Sequence, residues 1–199
     1  MAVNSLQKSL EDYARVSPLF FDQYVDLELV ERKLSFLLDH PDAFHDAYFP
    51  GHFTGSALIV SADHQRVLLT HHRKLNLWLQ LGGHADHDKD LSKVALREAR
   101  EESGLEKFLF YHFPNERGII PFDIDIHAIP ERGFTPGHLH YDVRYLLICE
   151  DDESHIQISE ESHDLRWFTW SEAAQKTSEL SMQRQFYKAR KILSTTKLT

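Results

Sequence analysis

The stretch Gly82–Leu105, GGHADHDKDLSKVALREAREESGL, decides how the rest of the chain is read. Its second half predicts a helix over Leu91–Gly104, with the glycine as its stop. Glu98, Glu101 and Glu102 fall at i, i+3 and i+4, so three carboxylates share one helical face. Like charges crowded in this way repel. A hard divalent cation removes the penalty, because Mg²⁺ and Mn²⁺ take carboxylate, carbonyl and water oxygens. Arg97, four residues before Glu101, can hold one carboxylate in place. Leu91, Val94, Ala95 and Ala99 form an apolar stripe suited to packing on a sheet. An acidic run is ordinarily a solvated face. The Gly-Gly turn, the Arg-Glu step and the closing Gly-Leu together argue for a site instead.

These residues resemble the signature of Nudix hydrolases, G-x5-E-x7-R-E-U-x-E-E-x-G-U with U a bulky aliphatic. Gly83, Arg97, Glu98, Glu101, Glu102, Gly104 and Leu105 fall in register, in a form that reads Gly82-Gly83-His84 at its start. Two positions depart: Lys89 stands in place of the first Glu, and Ala99 is smaller than the usual aliphatic. Strand-like segments on both sides extend the resemblance through most of 53–175. The resemblance implies the α/β/α Nudix sandwich, a mixed sheet between helices, with the site at the strand–loop–helix of the signature. It also adds the Gly83 carbonyl to Glu98, Glu101 and Glu102 as a metal ligand for Mg²⁺ or Mn²⁺.

Composition sets the outer bounds. At 199 residues the chain can form one domain with a good core, or a domain with an appendage. A net charge of −9 disfavours a scaffold for polymeric nucleic acid, which would show a basic patch. It still allows a small polyphosphate, since bound cations reverse the local sign. The single cysteine, Cys149, lies in an apolar run and reads as buried core. With no disulfide available within the chain, no spanning apolar stretch and no signal-peptide pattern, the expectation is a cytoplasmic protein without a membrane partner.

In chain order, 4–16 and 26–39 predict two amphipathic helices, with Pro18, Phe20 and Phe21 between them. His40-Pro41 closes the second, because the residue before proline leaves the α region. These helices belong to an N-terminal extension, 1–50, ahead of a domain at 51–199. The extension reads as a packing appendage; the sharper alternatives are a homodimer contact or a pocket wall. Strands are predicted over Ser56–Ala62, Arg66–His71, Leu77–Leu81 and Phe108–Phe113. Phe122–Ile129 alternates, with Ile124, Ile126 and Ala128 opposite Asp123, Asp125 and His127. Glu131–His138 reads as a loop, Tyr141–Cys149 as a strong strand and Leu165–Trp170 as a shorter one. Ser171 is the expected N-cap of the next helix, and a terminal helix starts at Ser181.

The expected reaction is attack of water within a diphosphate, which needs charge neutralised, water positioned and a proton removed. Glu98, Glu101 and Arg97 are the candidate catalytic groups, with Arg97 as the orienting residue. The base is a signature glutamate, Glu98 or Glu101, or a carboxylate on a later loop as in relatives. Glu160 and Glu161 are the candidates there, a surface acidic turn being their plainer reading. His84, His127, His138 and His140 crowd around the motif and the segment 127–140. They read first as hydrogen-bond donors to substrate, next as surface residues, and last as a three-histidine zinc site. Asp90, or failing that Asp88, is expected to do for Arg97 what Lys89 cannot. The whole points to a metal-dependent hydrolase of a small diphosphate, such as a nucleoside diphosphate derivative. Two rivals stand beside it: a Nudix-fold binding or regulatory module without catalysis, and isoprenoid diphosphate isomerase-like chemistry on the same scaffold.

Overall fold

The computed structural model describes residues 2–151 and 155–195. Two helices, α1 (Ala2–Phe20) and α2 (Leu27–Asp39), precede an eight-stranded mixed sheet. The strands are β1 (Gly51–Ser61), β2 (Arg66–His72), β3 (Leu77–Leu79), β4 (Leu81–His84), β5 (Phe108–Phe110), β6 (Asp123–Ile129), β7 (His138–Cys149) and β8 (Ser162–Thr169). Helix α3 (Leu91–Ser103) follows β4, and α4 (Trp170–Lys176) and α5 (Leu180–Thr195) close the described chain. This is the α/β architecture expected, with a mixed sheet and helices before and after it.

β1 organises the sheet. It runs parallel to β7 from Gly51↔Leu139 to Ser61↔Cys149, and antiparallel to β4 near its start and β2 near its end. β7 in turn pairs with β6 along its first half and β5 along its last residues. Every residue of β1 is buried, which is why SALIV reads as a continuous apolar run rather than an alternating one.

α3 lies on the β1 face that carries Gly55. A Cβ at Gly55 would come within 2.7 Å of the Leu91 carbonyl oxygen and 2.9 Å of Val94 Cβ. The absence of a side chain is therefore what lets the helix approach. Leu91, Val94, Ala95 and Ala99 are all buried, so the apolar stripe packs as its spacing implied. Asp90 caps the helix, accepting from the Ser92 amide, and Gly104 ends it in the left-handed conformation at φ 70°.

Several local expectations are corrected. Helix α1 continues through Pro18 to Phe20. Gly82-Gly83 is not a turn: both residues sit in β4, opposite Ser56 and Gly55. A Cβ on Gly82 would lie 2.6 Å from Ser56 Cα, so the glycines serve close strand approach. The predicted strand over Leu77–Leu81 breaks at Gln80 into β3 and β4. β5 stops at Phe110 instead of Phe113. The α4 cap is Thr169, not Ser171, because Thr169 and Glu172 form a reciprocal capping box.

The N-terminal helices join the same core. Leu6, Leu10, Tyr13 and Val16 of α1 and Val30 and Leu37 of α2 are buried. Phe36 stacks on Tyr141 of β7 with ring centroids 3.9 Å apart. Lys33, fully buried, donates to the Asp125 carbonyl at 2.6 Å. Beneath α5, Asp123 receives Arg144, Arg184 and Lys188 at 3.0, 3.0 and 2.6 Å. Arg144 also meets Asp125 and Asp142, at 3.0 and 2.7 Å. The Asp123/Asp125 alternation of β6 thus marks a buried ionic network.

Candidate active site

Leu81 enters the core, and β4 delivers Gly83 directly against α3. A Cβ there would lie 2.6 Å from Glu98 Cδ, so glycine is what admits the Glu98 carboxylate beside the strand backbone. Glu98 is mostly buried, with its side chain 12% exposed, whereas Glu101 is 58% exposed. Glu102 is buried. Its Oε2 has no hydrogen-bond partner among the described residues. Burial pushes the Glu98 carboxyl up to about 7, against the pull of Arg97 and helped by repulsion from Glu101. Burial and then repulsion from Glu98 raise Glu102 to about 8, while the Gly82 amide donates to its carboxylate.

Arg97 is the hub of this arrangement. Its guanidinium meets Glu98 at 2.8 Å, Glu101 at 3.0 Å and Asp86 at 3.0 Å. It also donates to the His84 carbonyl at 2.8 Å, which fastens the end of β4 to α3. The anchoring carboxylate opposite Arg97 is therefore Asp86, not Asp90 or Asp88. Asp90 is spent on the helix cap and Asp88 accepts from the Asp90 amide. Asp86 reaches Arg97 from a loop where it and His87 take positive φ values of 48° and 69°. Lys89 turns away from Arg97. It donates to the Pro41 carbonyl at 3.1 Å and pairs with Asp42 at 3.3 Å. With the His87 amide bonded to the Phe44 carbonyl at 2.7 Å, segment 41–44 clasps the motif loop.

Glu160 and Glu161 are both exposed, on the turn before β8. The charge of Glu161 is among those that raise the Glu98 and Glu102 carboxyls. Trp78, half-buried on β3, stacks on His71 with centroids 5.0 Å apart and meets Phe168 edge-on.

The four singled-out histidines converge, and a fifth, His52, stands among them. His52, His140 and His127 form a row across β1, β7 and β6 through the pairs His52↔His140 and His127↔His140. His138 lies two residues along β7, and His84 on β4 faces Thr54. Strand alternation places this row on the face opposite Gly55 and α3. His84 belongs to both neighbourhoods, with its carbonyl on Arg97 and its ring centroid 5.1 Å from that of His52. Burial lowers His52 to about 4 and His140 to about 2, so both imidazoles are neutral at ordinary pH. His52 escapes sequence reading because it lies far from the motif and joins His140 only through parallel register. Its one local signal is the polar alternation His52, Thr54, Ser56.

The carboxylate set fits a divalent ion on the chemistry of its donors. Two buried carboxylates, one with an unpartnered oxygen, sit beside a glycine backbone, and only Glu98 of the two meets the Arg97 guanidinium. Hard oxygen donors and excess negative charge are what Mg²⁺ and Mn²⁺ require.

A mixed sheet, a glycine strand and a helix bearing paired buried carboxylates frame the candidate site. The family model described as the NUDIX domain matches residues 51–189, and the chain belongs to that family. Among solved structures, it is similar to a Nudix hydrolase from M. smegmatis, RenU, at TM-score 0.54 and 17% identity, covering 79% of this chain and 96% of that one. A C. elegans Ap4A hydrolase binary complex aligns at TM-score 0.53 and 17% identity, over 72% and 98% of the two chains. A NUDIX-family hydrolase from Clostridium perfringens aligns at 0.52 and 21%, over 70% and 96%. These likenesses show the fold. No curated protein sequence matches the chain. Among the described residues, no helix is long and apolar enough to cross a membrane.

Proposed function

We propose that this protein is a metal-dependent Nudix pyrophosphohydrolase that cleaves a diphosphate linkage in a small molecule of the nucleoside diphosphate class. The observation that carries the reading is the buried Glu98–Glu102 pair with the unpartnered Glu102 oxygen, set against the Gly83 backbone. Two buried like charges without a cation between them cost several kcal/mol or stay protonated. A divalent ion bound there would neutralise phosphoryl charge and activate an attacking water.

Glu98, Glu102 and the Gly83 carbonyl are the residues to hold that ion, with the more exposed Glu101 completing the set. Arg97 positions them, since it binds Glu98, Glu101, Asp86 and the strand carbonyl at once. Glu161, exposed and electrostatically coupled to the pair, is the better placed of the two distal candidates to take a proton from water. The Asp86–Arg97 pair supports an intact arrangement despite Lys89, which weakens the case for a binding module. The Ap4A hydrolase among structures of similar fold is consistent with a nucleotide substrate.

A panel of nucleoside diphosphate derivatives with Mg²⁺ or Mn²⁺, read by phosphate or monophosphate release, tests the reading. Glu102→Gln should lower turnover by about 10²–10⁴-fold, the scale of losing a key charged group, with the far-UV spectrum unchanged. Absence of metal-dependent hydrolysis across the panel would put the binding-module reading first.

A further inference from the structure

The geometry points to a second metal site, made by His52, His138 and His140 on the opposite sheet face from α3, for a borderline divalent ion such as Zn²⁺. This site goes beyond the hydrolase reading and does not depend on it.

The first support is the placement of the donor atoms. One ring nitrogen from each of the three histidines lies within 4.8 Å of the other two. The Nε2 atoms of His138 and His140 are 3.3 Å apart. Zn–N bonds of about 2.0–2.1 Å in a tetrahedron set neighbouring nitrogens about 3.3–3.4 Å apart, so this edge already has the right length.

The second is tautomer control. His52 Nδ1 faces the Tyr48 carbonyl at 3.3 Å, and His138 Nδ1 faces the Pro136 carbonyl at 2.9 Å. A carbonyl only accepts, so both Nδ1 atoms carry the proton and each Nε2 presents a lone pair. A backbone carbonyl on the far nitrogen is the usual outer support of a ligating imidazole.

The third is an orphan. A hydrogen bond from His140 to His138 would account for their 3.3 Å separation, but His52 Nε2 remains. It is buried in a residue 1% exposed and has no hydrogen-bond partner among the described residues. Its ring centroid stands 4.9 Å from that of His138 and 4.7 Å from that of His140. A buried lone pair among neutral imidazoles is costly, and a cation there satisfies it.

Imidazole donors suit Zn²⁺ and its neighbours, whereas the oxygen set on α3 suits Mg²⁺ or Mn²⁺. The two sites are thus chemically distinguishable. Three imidazoles leave a tetrahedral ion one open position, flanked by His84 and His127, with centroids 5.3 and 5.4 Å from His140.

The test uses the full chain carrying Glu102→Gln, which disables the carboxylate site. After chelation and dialysis the protein is titrated with Co²⁺, followed by its visible ligand-field bands, and then back-titrated with Zn²⁺. The expected result is saturable, stoichiometric tetrahedral Co²⁺ that Zn²⁺ displaces. His138→Gln and His140→Gln on this background should weaken binding by more than about 100-fold, beyond what loss of an outer-shell contact costs. His52→Ala removes a buried ring and can misfold; the partly exposed His140 therefore carries the decisive variant, with far-UV circular dichroism as its control. Absence of stoichiometric Co²⁺ in the Glu102→Gln protein overturns the assignment. So does unchanged affinity in folded His138→Gln and His140→Gln proteins.

Discussion

Removing the Asp123 carboxylate should unfold this protein sooner than any change at its surface. Asp123 is fully buried and accepts from Arg184 Nε at 3.0 and 3.2 Å, Arg184 Nη2 at 3.0 Å, Arg144 Nη1 at 3.0 Å and Lys188 Nζ at 2.6 Å. Asp123→Ala strips that acceptor from three cations, two of them fully buried. Breaking a buried charge pair on one side costs about 3–5 kcal/mol. At about 2–4 °C per kcal/mol for a chain of this size, Tm should fall by about 6–20 °C. Asp123→Asn keeps the shape and loses only the charge, so it should fall part of the way. Adding Lys188→Met to Asp123→Asn should recover stability, because one uncompensated cation is then gone. The cations hold the Asp123 carboxyl below its ordinary range. Its stabilisation is therefore complete above the unfolded value of about 3.9 and lost as pH falls through the folded one. Thermal and urea denaturation across pH 2–8, about the span these values require, should show a flatter acid limb in Asp123→Asn than in the parent. A loss under about 1 kcal/mol, typical of exposed pairs, together with an unchanged acid limb, would refute the buried-network account.

Further outcomes are expected at three positions. Asp86→Ala should lower divalent-metal affinity or activity by about 10–100-fold while leaving Tm nearly unchanged, since it releases Arg97 without opening the core; isothermal titration with Mn²⁺ reads the first. Asp90→Ala should cost about 0.5–2 kcal/mol through the lost cap, with metal affinity retained, measured by urea unfolding. Lys89→Ala should cost under about 1 kcal/mol. Lys89→Glu, which restores the family residue, should do worse by thermal melting because it faces Asp42.

What the sequence could and could not disclose follows from how far apart the interacting residues lie. Helix α3 was legible because its cap, apolar stripe and glycine stop all fall within one short stretch. The strands on either side were legible from apolar runs, but the ends of those near the motif were not. Gly82-Gly83 spells a turn by composition, and only the pairing with Ser56 and Gly55 of β1 shows it to be strand. Pro18 reads as a break, yet α1 runs past it to Phe20. The Arg97 partner is not legible either, because Asp88 and Asp90 are spent locally and the positive φ of Asp86 that aims it is invisible in a residue string. Among the histidines, crowding is plain in the sequence, whereas the orphaned nitrogen of His52 exists only in the folded sheet.

The clasp at 41–44 bears on where this protein begins as a physical object. The family pattern starts at residue 51, but Lys89, His87 and Phe53 draw partners from Pro41, Asp42, Ala43 and Phe44. Tyr13 and Lys33 reach Lys188 and Asp125 from helices further upstream. A chain trimmed at 51 would keep every residue of the signature and lose the lining of its own loop. The stretch that matches the family model is thus shorter than the stretch that lines the motif loop. The 87–89 loop and the 41–44 segment are one mechanical unit, held by backbone bonds and the Lys89–Asp42 pair.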